Sequence, residues 1–170
     1  MIEQDISEKQ AKSIYLGIGS NLGNKKRNIE KAKYKLIQKN IIILQSSYFY
    51  ESPSWPDPAK PNFLNIVVEV STNLNAKDLL KICSLIEAEL GRKKTFRNAP
   101  RICDIDVLDY KSEVSKKGIV LPHPRMHSRN FVLLPLFELN KNWFHPILKQ
   151  HIKTLISMLS NKDITSIKQI

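Results

Sequence analysis

No stretch of the 170 residues reaches about 18 consecutive apolar positions, which excludes a membrane-spanning helix. Glycine is scarce, at five residues, and three of these (Gly17, Gly19 and Gly23) share one short segment. That segment still lacks the familiar phosphate-binding patterns. A dinucleotide fingerprint needs glycine where Leu22 stands, and a P-loop needs lysine where Asn24 follows Gly23. The plain reading is a tight strand-to-helix turn; the alternative is a turn that also lets a ligand approach the backbone. The two cysteines, Cys83 and Cys103, form no C-x-x-C pair and sit in apolar segments. They read as buried free thiols, which suits a reducing, cytoplasmic setting. Acidic residues number 16 against 27 basic ones, a net charge of +11. Such a surplus calls for an anionic partner: nucleic acid, an acidic membrane surface or a polyphosphate. Repeats and low-complexity tracts are absent. An apolar content of 42% is ordinary for a globular chain with one sizeable core.

Residues 1–13 hold Glu3, Asp5 and Glu8 but no arginine and no long apolar run. They read as a polar N-terminal extension rather than a secretory or transit segment, leaving residues 14–170 as a single domain. Ile14–Ile18 is a short apolar run, expected as a buried strand. Asn24 is a candidate N-cap for a helix with Ile29, Ala32, Leu36 and Ile37 on its apolar side. Ile41–Tyr50 is rich in β-branched and aromatic residues and predicts one strand. Pro53, Pro56, Pro58 and Pro61 make the following segment a loop. Phe63–Val70 predicts a third strand. A second helix runs from near Asn75 to Gly91, with Leu79, Ile82, Cys83 and Ile86 inward. A polar, basic loop at 92–101 leads into a fourth strand, Ile102–Tyr110. A short helix at 129–139 and an amphipathic one carrying Ile152, Leu155, Ile156 and Leu159 close the chain. The order βαββαβ predicts a ferredoxin-like α+β fold. Its sheet would be four-stranded and mainly antiparallel, with helices on one face and further helices at the C-terminal end.

Asp104 and Asp106 are two apart on the fourth strand, so their carboxylates face the same way. At about 6–7 Å and an effective dielectric near 20 they repel by about 2–3 kcal/mol. Either that face is solvated or a cation bridges the pair, and Mg²⁺ takes such oxygen ligands together with phosphates. Arginine placement tips the balance. The chain uses 21 lysines and only six arginines, yet Arg92, Arg97, Arg101, Arg125 and Arg129 all fall within residues 92–129. The planar guanidinium fork suits bidentate phosphate contacts; ion pairs to Glu87 and Glu89 are the plainer use. His123 is held between Pro122 and Pro124 and could donate to a phosphate. Phe63 and Phe131 could be core residues or could stack on a flat heterocycle.

The run Arg97-Asn98-Ala99-Pro100-Arg101-Ile102-Cys103-Asp104-Ile105-Asp106-Val107-Leu108 resembles the signature of the 6-hydroxymethyl-7,8-dihydropterin pyrophosphokinases. Gly19-Ser20-Asn21-Leu22-Gly23, Tyr50-Glu51-Ser52-Pro53, Phe63-Leu64-Asn65, Ile86-Glu87 with Gly91-Arg92, and Leu121-Pro122-His123-Pro124 with Arg129 and Phe131 agree in the same order. Asn98 stands where many members carry tryptophan. The resemblance implies the same ferredoxin-like fold and transfer of the pyrophosphoryl group of ATP to the pterin alcohol, with release of AMP. By that resemblance Asp104 and Asp106 would ligate two Mg²⁺ ions bound with ATP. Arg92, Arg97 and Arg101 would join them as catalytic residues. Glu87, Arg92, Arg101, Val107, His123 and Arg129 would bind ATP. Ser52, Pro53, Trp55, Phe63, Asn65 and Phe131 would hold the pterin.

The expected partners are thus ATP and 6-hydroxymethyl-7,8-dihydropterin, with no nucleic acid and no membrane, for a monomer. A nucleic-acid module is the chief rival, since the same βαββαβ order serves RNA-recognition motifs. No segment supplies the glycine and aromatics of the RNP1 motif, and Asp104 and Asp106 on the sheet would repel a phosphate backbone. A nucleotide-sensing domain would keep the arginines without needing the aromatic bracket.

Overall fold

The computed structural model describes residues 4–5, 8, 10–93, 96 and 98–170. Ile14–Ser20 forms β1, whose buried flanks on both sides make it the central strand. The chain turns at Gly23 (φ +62°), a left-handed position that suits glycine. Lys25–Gln38 follows as α1, capped by Asn24, whose side chain accepts the Arg27 amide. Ile42–Ser46 is β2, Tyr50–Ser52 is β3 and Phe63–Ser71 is β4. Ala76–Glu89 is α2, with Asn75 accepting from the Asp78 amide at its start. Asp104–Tyr110 is β5. Asn130–Leu139, Ile152–Ser157 and Asn161–Ser166 are α3, α4 and α5, and Lys168–Gln169 is a short β6.

The four core strands lie in the order β5-β1-β4-β2, all antiparallel to their neighbours, as a ferredoxin-like fold requires. The sheet is larger than the four strands expected. Its path also runs β4-β3-β6, so β2 and β3 share the outer edge of β4. The segment Ile41–Tyr50, expected as one strand, breaks after Ser46. At Ser47 the side-chain hydroxyl, rather than a backbone carbonyl, accepts the Val67 amide at 3.0 Å. The ladder is interrupted there and resumes at Tyr50.

The helices do not all lie on one face. Ile14, Leu16 and Ile18 point to one side and pack with Ile29, Ala32 and Leu36 of α1 and Leu79, Cys83 and Ile86 of α2. Tyr15, Val67 and Leu108 point to the other and pack with Val132, Leu133 and Leu136 of α3 and Ile152 and Leu155 of α4. Buried on both faces, β1 loses the polar alternation of a half-exposed strand. Cys83 and Cys103 are both buried and unpaired, as their surroundings predict. Burial pushes both thiols up to about 12. No helix among the described residues is long and apolar enough to cross a membrane.

The C-terminal third is fastened by buried polar contacts. Trp143 is fully buried and donates its indole N–H to Asp109 Oδ2 at 2.8 Å. Asp109 Oδ1 accepts the Ser112 amide at 3.0 Å. Gln10, from the segment read as an extension, is buried too. It donates to the Phe144 carbonyl at 2.7 Å and accepts the Phe144 amide at 2.9 Å. Replacing Trp143 by Phe leaves a buried carboxylate oxygen without its donor. The expected cost is about 2–4 kcal/mol in urea unfolding, with native far-UV circular dichroism retained.

Candidate active site

The site lies on the sheet face away from α1 and α2. Along β4 the inward residues Leu64 and Ile66 alternate with Phe63 and Asn65, and along β5 Ile105 separates Asp104 from Asp106. Between these two strands runs β1, where Gly19 pairs with both Asn65 and Asp104, and Gly17 pairs with Asp106. Neither glycine has a positive φ. Their use is spatial rather than turn-forming. A Cβ on Gly19 would stand 2.7 Å from Asn65 Oδ1 and 3.4 Å from Phe63. The side chain missing at Gly19 sinks the floor between the aromatic edge and the carboxylate edge, whereas a Cβ on Gly17 would meet Leu108 at 3.4 Å. The result is a cavity of about 550 Å³, a size ordinary for small-molecule sites.

Its walls bring together Ser52, Trp55, Phe63, Asn65, Arg92, Arg101, Asp104, Asp106, His123, Arg129 and Phe131, all expected from the sequence. Pro53, Glu87 and Val107 do not line it. Val107 packs its side chain into the core beneath α1 and α2. Arg97 lies outside the described residues. The cavity also takes in Arg125, Phe96 and Asn98, to which no site role was assigned.

The carboxylate edge is held by an ion-pair array. Asp104 accepts from Arg92 at 2.8 Å with one oxygen and from Arg101 at 3.0 Å with the other. Arg92 also pairs with Glu87, which accepts the Ile105 amide at 2.7 Å. Glu87 thus acts from behind the site, fixing both a clamp arginine and the strand that carries the aspartates. Burial pushes its carboxyl up to about 7. Asp106 faces Arg129 at 3.5 Å and His123 Nε2 at 3.7 Å. Burial, with the Asp104 charge next in weight, pushes Asp106 up to about 6.

His123 is pushed down to about 4, first by burial and then by the charges of Arg129 and Arg125. It is neutral at pH 7. Its Nδ1 accepts the Arg125 amide at 3.2 Å, so the ring proton sits on Nε2 and faces the cavity. Arg129 is nine-tenths buried, and its Nε has no hydrogen-bond partner; the buried Arg101 Nε has none either. Two buried guanidinium donors without acceptors, beside a cavity, are what an anionic ligand would satisfy.

The aromatic edge faces the same guanidiniums. Arg101 lies over the Phe63 ring at 5.4 Å, and Arg129 over both Trp55 and Phe131 at 5.3 and 5.4 Å. Such pairs contribute roughly 0.5–2 kcal/mol each and hold flat faces toward one another. Asn65 Nδ2 donates to Ser52 Oγ at 3.1 Å, fixing the amide at the cavity edge.

Asn21 is a residue the sequence reading did not single out. Buried at the end of β1, it accepts the Arg101 amide at 2.7 Å and donates its own amide to the Arg101 carbonyl at 3.1 Å. Its Nδ2 donates to the Pro61 carbonyl at 3.2 Å. One side chain therefore pins the roots of the two loops that flank the cavity. Its signal in the sequence was its place in the Gly19-Ser20-Asn21-Leu22-Gly23 segment, which carried the resemblance without giving this residue a role.

As for metal, no group of three His, Cys, Asp or Glu side chains placed to hold an ion occurs among the described residues. Asp104 and Asp106 alone suit a hard cation that completes its shell with waters and ligand phosphates. The donor set fits Mg²⁺ carried in on a polyphosphate better than a resident structural metal.

Comparison with known proteins bears on the family and the fold. The profile of the 7,8-dihydro-6-hydroxymethylpterin-pyrophosphokinase family matches residues 15–141. The 2-amino-4-hydroxy-6-hydroxymethyldihydropteridine pyrophosphokinase of Aquifex aeolicus is 40% identical over 142 residues, covering 83% of this chain and 88% of that protein. The folic acid synthesis protein FOL1 of Dictyostelium discoideum is 42% identical over 142 residues, but these are only 21% of its length. Among solved structures, wild-type HPPK-DHPS of Plasmodium falciparum aligns with TM-score 0.70 at 15% identity, covering 93% of this chain and 48% of that one. At that identity the likeness speaks for the fold. The family profile and the Aquifex relative go further: this chain belongs to the 7,8-dihydro-6-hydroxymethylpterin-pyrophosphokinase family.

Proposed function

We propose that the chain transfers the pyrophosphoryl group of ATP to 6-hydroxymethyl-7,8-dihydropterin, in tetrahydrofolate biosynthesis. The observation that carries this reading is that one cavity holds both halves of the chemistry. A carboxylate pair ringed by arginines faces an aromatic edge with a fixed amide. In the reaction the pterin hydroxymethyl oxygen bonds to the β-phosphorus of ATP. The bond from that phosphorus to the oxygen bridging it to the α-phosphate breaks, and AMP leaves with the bridging oxygen. The hydroxyl proton is lost.

This chain's residues act by position and charge. Phe63 and Phe131 take the two faces of the pterin ring, and Asn65, steadied by Ser52, hydrogen-bonds its edge. Trp55 closes that side beneath Arg125 and Arg129. Arg129, Arg101 and Arg92 turn toward phosphate oxygens, and His123 donates from Nε2. Asp104 and Asp106 would hold Mg²⁺, which when bound would neutralise the triphosphate charge. The Ile105 amide, tied to Glu87, keeps the two aspartates in line. Little proton transfer is asked of any side chain. Orientation and charge neutralisation supply most of the rate, as in phosphoryl transfer generally.

The reading is tested by incubating purified protein with Mg·ATP and the pterin alcohol and separating the nucleotides. AMP is the expected product; ADP would identify an ordinary kinase, and no turnover would revive a binding module. Asp104→Ala is expected to lower AMP formation by roughly 10²–10³-fold with the fold intact by circular dichroism. Full activity in that variant would remove the metal assignment. Gly19→Ala is expected to weaken pterin affinity roughly ten-fold while leaving nucleotide affinity unchanged, because its Cβ displaces the Asn65 amide. Calorimetric titration with each ligand separates the two effects.

A further inference from the structure

Phe63 and Phe131, the two rings of the aromatic edge, belong to different elements. Phe63 starts β4, whereas Phe131 lies in the first turn of α3. The gap between them depends on how α3 sits beside the sheet. Val132, Leu133 and Leu136 seat the helix on Tyr15 and Val67. Apolar burial is non-directional, and Glu138, near the far end of α3, adds a directional contact. Its Oε2 accepts the Tyr50 hydroxyl at 2.9 Å, and its two oxygens accept the Tyr48 amide at 3.0 and 3.2 Å. Tyr48 lies in the break between β2 and β3. Tyr50 is buried, and burial with the Glu138 carboxylate pushes its phenol well above the ordinary value, so it stays a neutral donor. The other acceptor near that phenol, Gln169 Oε1, is farther away at 3.4 Å. Tyr50 pairs with Asn65 across β3 and β4, and Ser52 pairs with Phe63. Opposed residues share a sheet face, so Tyr50 meets Glu138 on the face that carries the cavity. From Tyr50 to Ser52 the strand advances about 6–7 Å. From Glu138 back to Phe131 the helix advances about 10 Å, and a seven-residue step returns to nearly the same helix face. Helix α3 packs against β3 and β4, so both elements lead from the Glu138–Tyr50 contact to the aromatic edge.

We propose that Glu138 is a positioning residue for the pterin: by holding Tyr50 and the Tyr48 amide it sets the distance between Phe131 on α3 and Phe63 and Asn65 on the sheet. The inference rests on the proposed function and deepens it. Glu138 does not line the cavity and acts only through the elements it joins. The spacing matters because two phenyl rings in contact with a flat ring between them stand about 7–8 Å apart. A gap wider by about 0.5–1 Å forfeits roughly a quarter to a half of the dispersion attraction on that side. A carboxylate suits the task, since it accepts from several donors at once and its hydrogen bonds are stronger than those of a neutral acceptor. The phosphate edge has separate supports. Arg92 and Arg101 are fixed by Glu87 and Asp104, and Arg129 faces Asp106.

The test is calorimetric titration of the pterin alcohol into protein holding a non-hydrolysable ATP analogue and Mg²⁺, and of that analogue alone. It compares the wild type, Glu138→Ala, Glu138→Gln and Tyr50→Phe, with Glu138→Ala repeated in a Phe131→Ala background. Glu138→Ala is expected to weaken pterin affinity roughly ten-fold, the scale of a lost hydrogen bond to a charged group, and analogue affinity less than about three-fold. Glu138→Gln, whose amide oxygen can accept from both donors, should recover most of the loss. Tyr50→Phe removes one hydrogen bond and little packing, and should weaken pterin affinity about three-fold. It keeps the link testable should Glu138→Ala fail to fold. In the Phe131→Ala protein, adding Glu138→Ala should cost less than about two-fold more, because the ring that Glu138 positions is gone. The full loss in that background, equal losses for pterin and analogue, or wild-type pterin affinity in Glu138→Ala and Tyr50→Phe would each overturn the assignment. AMP formation by the wild-type preparation distinguishes two failures. An active wild type with unaltered pterin affinity in the variants defeats the positioning role alone, whereas an inactive wild type defeats the functional reading beneath it.

Discussion

The structure depends most on the ion-pair array around Asp104. Two carboxylates on one strand face, with a third from Glu87 close behind, would drive that edge of the sheet apart if left alone. Arg92 and Arg101 prevent this by each taking one Asp104 oxygen, while Arg92 also holds Glu87. The same contacts store the guanidiniums where a triphosphate would need them. A cation at Asp104 and Asp106 would take over the carboxylate charge and release the arginines to phosphate. The site is prepared by its own counter-charges, and ligand binding would exchange the arginines' partners from carboxylate to phosphate. The unpartnered Nε atoms of Arg101 and Arg129 mark what that preparation leaves open.

The fold positions this array through a bare patch on its central strand. Gly19 keeps β1 low where Asn65 and Phe63 approach from one side and Asp104 flanks it on the other, while Gly17 makes room for Leu108 of the second core. The strand's opposite face carries Ile14, Leu16 and Ile18 into the core, so cavity and core are built from alternate residues of one heptapeptide. Beyond the glycines, Tyr15 resumes contact with α3 and Trp143, and the second core begins. This layer sets the start of α3, where Phe131 stands.

What could be read in the sequence was what is local. The caps at Asn24 and Asn75, the period-two placement of Asp104 and Asp106, the five gathered arginines and the buried thiols all depend on neighbours a few residues away. The strand order followed from element order. What could not be read depends on distant partners. The split of Ile41–Tyr50 needs Val67 to meet a serine hydroxyl. The second helical layer needs Trp143 to find Asp109 across 34 residues of chain. Asn21 looks like an ordinary polar residue until two loops meet around it. The glycine segment shows the distinction within seven residues: Gly23 is the turn residue its pattern suggests, whereas Gly17 and Gly19 matter for the room they leave.

The large positive charge divides along the same line. Lysines are spread over the chain, and many of those on α1 face solvent or pair with surface carboxylates such as Glu30 and Glu89. Four of the five gathered arginines line one cavity, and Arg97 falls outside the described residues. The anion that the composition called for is thus one that fits a pocket of about 550 Å³ rather than one spread over a surface. The most direct measurement is anomalous diffraction from crystals grown with Mn²⁺, a non-hydrolysable ATP analogue and 6-hydroxymethylpterin. The account predicts manganese peaks within bonding distance of both Asp104 and Asp106, with phosphate oxygens completing the shells. Peaks that avoid these carboxylates, or Asp104 still bound by Arg92 and Arg101 beside an ordered triphosphate, would contradict it.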